Sequence, residues 1–508
     1  MSGMMLDVTL SQNFAPVLDN FQLAAQNMLG LLKFDPQAPM LFSSAIFWVL
    51  FLIFIPVYSL LKDRRMQMIV FVVAFSLYFY YKSSGFFFLL LTATSLVDWT
   101  ISRCIIKAKS KAGKKALMWL SITISLSILG YFKYANFFLW NWNQMVEGNF
   151  QPLDIILPVG ISFYTFQSIS YVVDVYKGRL QPDITWIEYI FYLSFFPQLV
   201  AGPIVRADYF IPQLKENKRA TKEMIYGGLW LIIAGIIKKA VIADYISQYN
   251  DLIFGDPALY TGVQTLMGVL GYTMQIYCDF SGYSDMAIGI ALIMGFRLGI
   301  NFDSPYQSRN LTEFWRRWHI SLSSWLRDYV YIPLGGNRKG TIRTYVNNFL
   351  TMLIGGLWHG AAWKFVFWGA MHGVGLAVHK ACKPILSKIP DNFITVFFSW
   401  LITFIYVSLL WVFFRAASFS DSILIIKNIF VDFRWEQIPQ FYEARSVWCI
   451  MMIVLTVLHF VPQRWADWCQ YYFAKSPWLL KLLIFIGVIQ LVIEFMSEEV
   501  SPFIYFQF

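Results

Sequence analysis

Apolar stretches long enough to cross a bilayer recur along almost the whole chain, and no other feature constrains the fold as tightly. A membrane helix takes about 20 mostly apolar residues. On that measure spans are expected near 42–61, 66–81, 84–98, 116–140, 155–176, 223–245, 261–279, 283–299, 344–362, 363–381, 393–414, 446–462 and 478–497. Lipid offers no partner to a backbone N–H or C=O, so these segments must satisfy themselves as helices. Charged residues make up 14% of the 508, against about 25% in soluble domains. That is too little charge to wet the surface of a soluble chain. The expected fold class is an all-α polytopic integral membrane protein with about 11 to 13 transmembrane helices. Its expected location is a cell membrane (cytoplasmic or inner), as a multi-pass protein.

The formal net charge of +10 is therefore not the footprint of a nucleic-acid binder. In membrane proteins Lys and Arg collect in cytoplasmic loops and meet anionic lipid, so the partner implied is the bilayer. The run Arg103–Lys115 (RCIIKAKSKAGKK) carries six cations and no acid. With Lys62, Arg64 and Arg65 it belongs inside, which puts the N-terminus and the loop Asn141–Asp154 outside. Residues 187–202 (IEYIFYLSFFPQLVAG) look apolar enough to cross, yet Arg206, Lys215, Lys218, Arg219 and Lys222 follow. A full crossing would export those cations, so a re-entrant element that dips in and returns is expected. Two regions are expected, a leader at 1–41 and a membrane domain at 42–508. Within the leader, Asp19 to Lys33 has the pattern of a short interfacial helix, and the leader lacks signal-peptide character.

The stretch 301–342 is too polar to span. Helical spacing puts Trp315, Trp318, Leu322 and Trp325 on one side and Glu313, Arg317, Ser324 and Arg327 on the other, the pattern of one amphipathic helix against the bundle. Pro333 and Gly335–Gly336 then break it. Among five histidines, His359 stands apart, inside the apolar run LIGGLWHGAAW. An ionisable group at membrane depth is costly and usually faces a cavity or pathway, and imidazole titrates where a general base must. His319 lies on the amphipathic stretch beside Arg316, Arg317 and Arg327, which suit an anionic ligand. Glu313 is spaced to pair with the same arginines. His372 and His379 share a face but lack acids or cysteines at ligand spacing, so no metal site is expected. His459 follows a long apolar run and is expected at a membrane interface. Asp279 and Asp285 in YCDFSGYSD fall between two expected spans, either as buried acids or as turn residues. Gln167, Ser162, Ser168 and Ser170 give one span polar groups for bonding across helices. The five scattered cysteines suggest no disulfide framework.

Several long blocks carry a resemblance: LGYFKYANFF at 129–138, LPVGISFYTFQSISYVVDVYKG at 157–178 and FPQLVAGPIVR at 196–206. Further blocks are YCDFSGYSDMAIGIALIMGF at 277–296, TEFWRRWHISLSSWLRDYVYIPLGGNRKG at 312–340 and GGLWHGAAWKFVFWGAMHG at 355–373. Over most of 42–508 the chain resembles the bacterial membrane-bound O-acyltransferases, most of all their alginate O-acetylation branch. The resemblance implies membrane helices around a thin centre pierced by a tunnel. It implies catalytic roles for His359, in GGLWHG, and for His319, in WRRWH. Substrate-binding residues expected from the same blocks are Trp315, Arg316, Arg317, Asp328 and Trp358. The implied reaction takes an acyl group, acetyl above all, from a cytoplasmic thioester such as acetyl-coenzyme A and passes it outward for O-acetylation of a polysaccharide. The acyl donor is then a substrate, no cofactor is tightly bound, and a separate extracytoplasmic O-acetyltransferase is the expected partner. Two alternatives stay open: D-alanyl transfer to teichoic acid by the same fold, and a proton-coupled transporter using His359, Asp279 and Asp285.

Overall fold

The computed structural model describes residues 32–495 except 37, 181 and 182, together with Gly30. Most of the segment expected as an interfacial helix, Asp19 to Lys33, lies outside the described residues. The end of the leader does not stand apart from the domain. Met40, Leu41 and Phe42 are buried, and Ser83 Oγ donates to the Met40 carbonyl at 2.7 Å.

Every regular element among the described residues is helical. Helices at Ala45–Leu61, Arg65–Ser84, Phe88–Lys107, Lys111–Leu129, Ile161–Tyr176, Thr341–His359, Trp363–Leu386, Phe393–Arg415, Ser446–Phe460 and Trp478–Phe495 match expected spans. Two expected spans, 261–279 and 283–299, are instead one 32-residue helix, Gly262–Ile293. The YCDFSGYSD stretch lies inside it rather than in a loop. Two other spans carry a π-helical turn, at Gly130–Tyr134 and Ile237–Ala243. Such wide turns re-aim the side chains around them.

Five helical runs among the described residues are long and apolar enough to cross a membrane, or six if one bent pair counts as a span. The sequence expectation of 11 to 13 is not reached on that criterion. The shortfall has a physical cause. Ile161–Tyr176 has only 16 residues, nearly all buried, and carries Gln167, Asp174 and three serines. Helices that face protein instead of lipid need be neither long nor uniformly apolar.

The re-entrant expectation holds. Trp186–Ser194 ends after 9 residues, a four-residue turn follows, and Ala207–Glu216 leads away. Both limbs meet Arg65: its guanidinium pairs with Glu188 on the way in and donates to the Leu214 carbonyl on the way out. Entry and exit therefore share one face. That face also holds Asp63 paired with Arg219, next in the chain to Lys62, Arg64 and Arg65, the cations that the positive-inside rule assigns to the inner side.

Glycines let backbones touch where the site is built. Thr341–His359 and Trp363–Leu386 cross at Gly356 and Gly369, whose added Cβ atoms would strike the Phe365 and Met352 carbonyls. A Cβ at Gly369 would lie 2.5 Å from Met352 O and 3.0 Å from the Gly356 Cα. Small residues at such crossings are the usual means of close helix approach in membranes. Gly369→Ala should therefore destabilise by about 1–3 kcal/mol, the cost of overpacking. It would be read as a lower melting temperature in detergent; an unchanged midpoint would mean the helices slide apart freely.

Candidate active site

His359 closes its helix. The chain leaves at Gly360 in an extended conformation (φ −165°, ψ 154°), and a Cβ there would strike the Phe365 ring. His359 is 4% exposed. Its imidazole sits in an aromatic box, with ring centroids 5.0 Å from Trp358, 5.1 Å from Trp368 and 5.2 Å from Phe414. A helix that ends inside the protein strands its last carbonyls. Here a second helix supplies the donors. Lys133 Nζ donates to Trp358 O at 2.6 Å and His359 O at 3.1 Å, and Tyr134 Oη donates to Leu357 O at 2.6 Å. Both come from the edge of the π-helical turn at Gly130–Tyr134.

His319 is fully buried, and the single amphipathic helix expected around it does not exist. Two short helices, Leu311–Arg317 and Ile320–Leu326, meet at His319, whose φ of +43° is left-handed. A non-glycine residue there costs on the order of 1 kcal/mol or more, and Asn301 offsets it. The Asn301 carbonyl accepts from Ile320 N at 2.9 Å. Its side-chain oxygen lies 3.1 Å from His319 Nδ1 and accepts from Ser321 Oγ at 2.9 Å. An amide oxygen can only accept, so Nδ1 carries the proton and Nε2 keeps its lone pair. Nε2 is buried with no hydrogen-bond partner among the described residues. A neutral imidazole held in one tautomer is the form that takes a proton or attacks a carbonyl.

Trp358 joins the two histidines, with its ring 5.0 Å from His359 and 6.0 Å from His319. Phe163 lies against both Trp358 and His319, at 5.3 and 6.4 Å. Beside them is a cavity of about 100 Å³ lined by Lys133, residues 157–163, Val200, Trp358 and His359. Toward the basic face, Phe166 stacks on Trp325 at 3.7 Å. Beyond it Asp328 bridges Arg206 at 2.5 Å and Arg327 at 2.7 Å. Burial disfavours the Asp328 carboxylate, but hydrogen bonds from Arg327 and Arg206 outweigh it and hold the carboxyl below its usual range.

The other expected site residues are spread more widely. Trp315 Nε1 donates to His372 Nδ1 at 3.3 Å, and His372 packs on Trp368 at 4.6 Å. Arg317 pairs with Glu313 at 3.0 Å, the pairing its spacing suggested, and Arg316 is exposed. His379 Nδ1 lies 3.0 Å from Thr312 Oγ1. His459 is buried at the end of its helix, and its Nε2 accepts the Tyr306 N–H at 3.1 Å. Asp279 and Asp285 pair with Lys239 at 2.6 Å and Lys238 at 2.7 Å. Lys133 and Asn301 were not singled out from sequence. Lys133 had a signal, a lone cation within an apolar run; Asn301 had none.

The description "membrane-bound O-acyltransferase family" fits residues 117–420. A probable alginate O-acetylase of Pseudomonas putida is 37% identical over 92% of this chain and all of its own length. A peptidoglycan O-acetyltransferase of Helicobacter pylori is 38% identical over 70% of this chain and 72% of its own. A teichoic acid D-alanyltransferase of Bacillus subtilis is 31% identical over 53% of this chain and 71% of its own.

Proposed function

We propose that this chain, which belongs to the membrane-bound O-acyltransferase family, is an O-acetyltransferase that moves acetyl from a cytoplasmic thioester toward an extracytoplasmic polysaccharide. The observation that carries the reading is the pair His319 and His359, joined through Trp358 beside a small cavity. In the reaction, His359 takes the proton of an acceptor hydroxyl, whose oxygen attacks the thioester carbon. The C–O bond forms, the C–S bond breaks, and the leaving thiolate recovers the proton. His319, with Nε2 uncommitted, is the second base-competent group. The donor is acetyl-coenzyme A or a similar thioester, used as a substrate, with no tightly bound cofactor. Arg206 and Arg327, held by Asp328 on the basic face, suit a phosphate-bearing donor. A separate extracytoplasmic O-acetyltransferase completes delivery to the polymer.

Extent of similarity favours acetylation over D-alanylation: the alginate relative matches 92% of the chain, the D-alanyl relative 53%. The ion pairing of Asp279 and Asp285 weighs against a transporter built on free intramembrane acids.

The test is reconstitution in liposomes with labelled acetyl-coenzyme A and a membrane extract that supplies acceptor and partner. Label is expected to leave the thioester and appear as an alkali-labile O-ester. No consumption of the thioester, with D-alanyl carrier protein consumed in its place, would overturn acetylation; consumption of neither would overturn acyl transfer.

A further inference from the structure

We infer that Lys133 is a positioning residue for acyl transfer, holding the end of the helix that presents His359; this rests on the reading of His359 as the base. The helix Thr341–His359 stops at the site, and its last carbonyls have no partner within the helix. Lys133 Nζ reaches two of them in succession, Trp358 O at 2.6 Å and His359 O at 3.1 Å, and lies 3.3 Å from Ser162 Oγ. Ser162 sits at the start of the Ile161–Tyr176 helix. One side chain therefore ties three helices together at Trp358, which joins the histidines, and at His359 itself. Its Nζ also lies 5.8 Å from the Trp358 ring centroid, and Lys133 and His359 line the same cavity.

The local backbone explains why a lysine can do this. In an ordinary α-helix neighbouring residues point about 100° apart. At the π-helical turn Lys133 and its neighbour Tyr134 converge on one helix end, taking the carbonyls of 357, 358 and 359 between them. A cation at a helix C-terminus also complements the helix dipole. Without the Nζ donor, the Trp358 and His359 carbonyls lose their tie to the neighbouring helix, and the terminal turn regains freedom. A displacement of about 1 Å of a base can cost about 100-fold in rate.

The experiment compares wild type, Lys133→Met, Lys133→Arg and His359→Ala in proteoliposomes with labelled acetyl-coenzyme A, with rates referred to the monodisperse protein. Lys133→Met is expected to lower kcat about 10- to 100-fold with little change in KM for the donor. Lys133→Arg, whose guanidinium can still donate to both carbonyls, should recover much of that loss at a wild-type melting temperature. Lys133→Met turning over like wild type while His359→Ala is dead would overturn this inference and leave the reading of His359 intact. If His359→Ala is as active as wild type, the reading itself falls. Should Lys133→Met fail to fold, Lys133→Arg decides: a folded Arg variant whose loss lies in KM would make Lys133 a donor-binding group and overturn positioning.

Discussion

Acetyl transfer by His359→Ala should fall by about 10³-fold, within the range that a positioned general base supplies. The imidazole is buried at the end of an apolar helix. An ionisable side chain kept in such a place calls for a reason beyond packing. Truncation to alanine also removes ring contacts with Trp358, Trp368 and Phe414, and loss of a buried aromatic contact surface is itself destabilising. His359→Gln separates the two effects, because it keeps volume and a polar tip but cannot serve as a base at neutral pH. Both variants should be inactive, with Gln melting close to wild type. A Gln variant retaining more than about a tenth of the wild-type rate would exclude proton transfer by His359, since a general base contributes at least about 10²-fold. Attention would then move to His319 Nε2.

How far this site could be read in the sequence depended on how local each signal was. His359 was legible alone, because one titratable residue in an apolar run violates the pattern around it. His319 was not: without the family resemblance it reads as a polar residue on an amphipathic helix. What makes it unusual is a left-handed break and an asparagine 18 positions earlier, and neither leaves a periodic trace. The long helix Gly262–Ile293 was divided wrongly because Asp279, Ser281, Gly282 and Asp285 have turn composition. The lysines that neutralise those acids lie some forty residues earlier in the chain, and only the fold brings them there. Gly282 had the wrong meaning for the same reason. It ends no helix; it lets the backbone of Gly235 come close, and a Cβ there would lie 2.8 Å from Gly235 O.

That last crossing carries the second large expected effect. Lys239 is 2% exposed and bonds Asp279 at 2.6 Å and Asp244 at 2.7 Å. Asp279 and Asp285 stand one turn to either side of Gly282, and Lys238 and Lys239 reach them from the π-helical turn Ile237–Ala243. Lys239→Met would bury two neighbouring carboxylates without their shared cation. Removing one partner of a buried pair costs about 3–5 kcal/mol, a large share of the stability of a typical fold. The variant should accumulate poorly and melt far below wild type. Asp279→Asn should be milder, because Lys239 keeps Asp244. Combining Lys239→Met with Asp244→Asn and Asp279→Asn removes all three charges together, and neutralised networks of this kind often recover stability. The triple variant should therefore melt above the single Lys239→Met variant. Melting temperatures in one detergent, with yields per membrane, give the order. If Lys239→Met melts with wild type, water must reach the cluster and screen it. If the triple variant melts lowest, the packing of the lysine stem rather than its charge holds the two helices together.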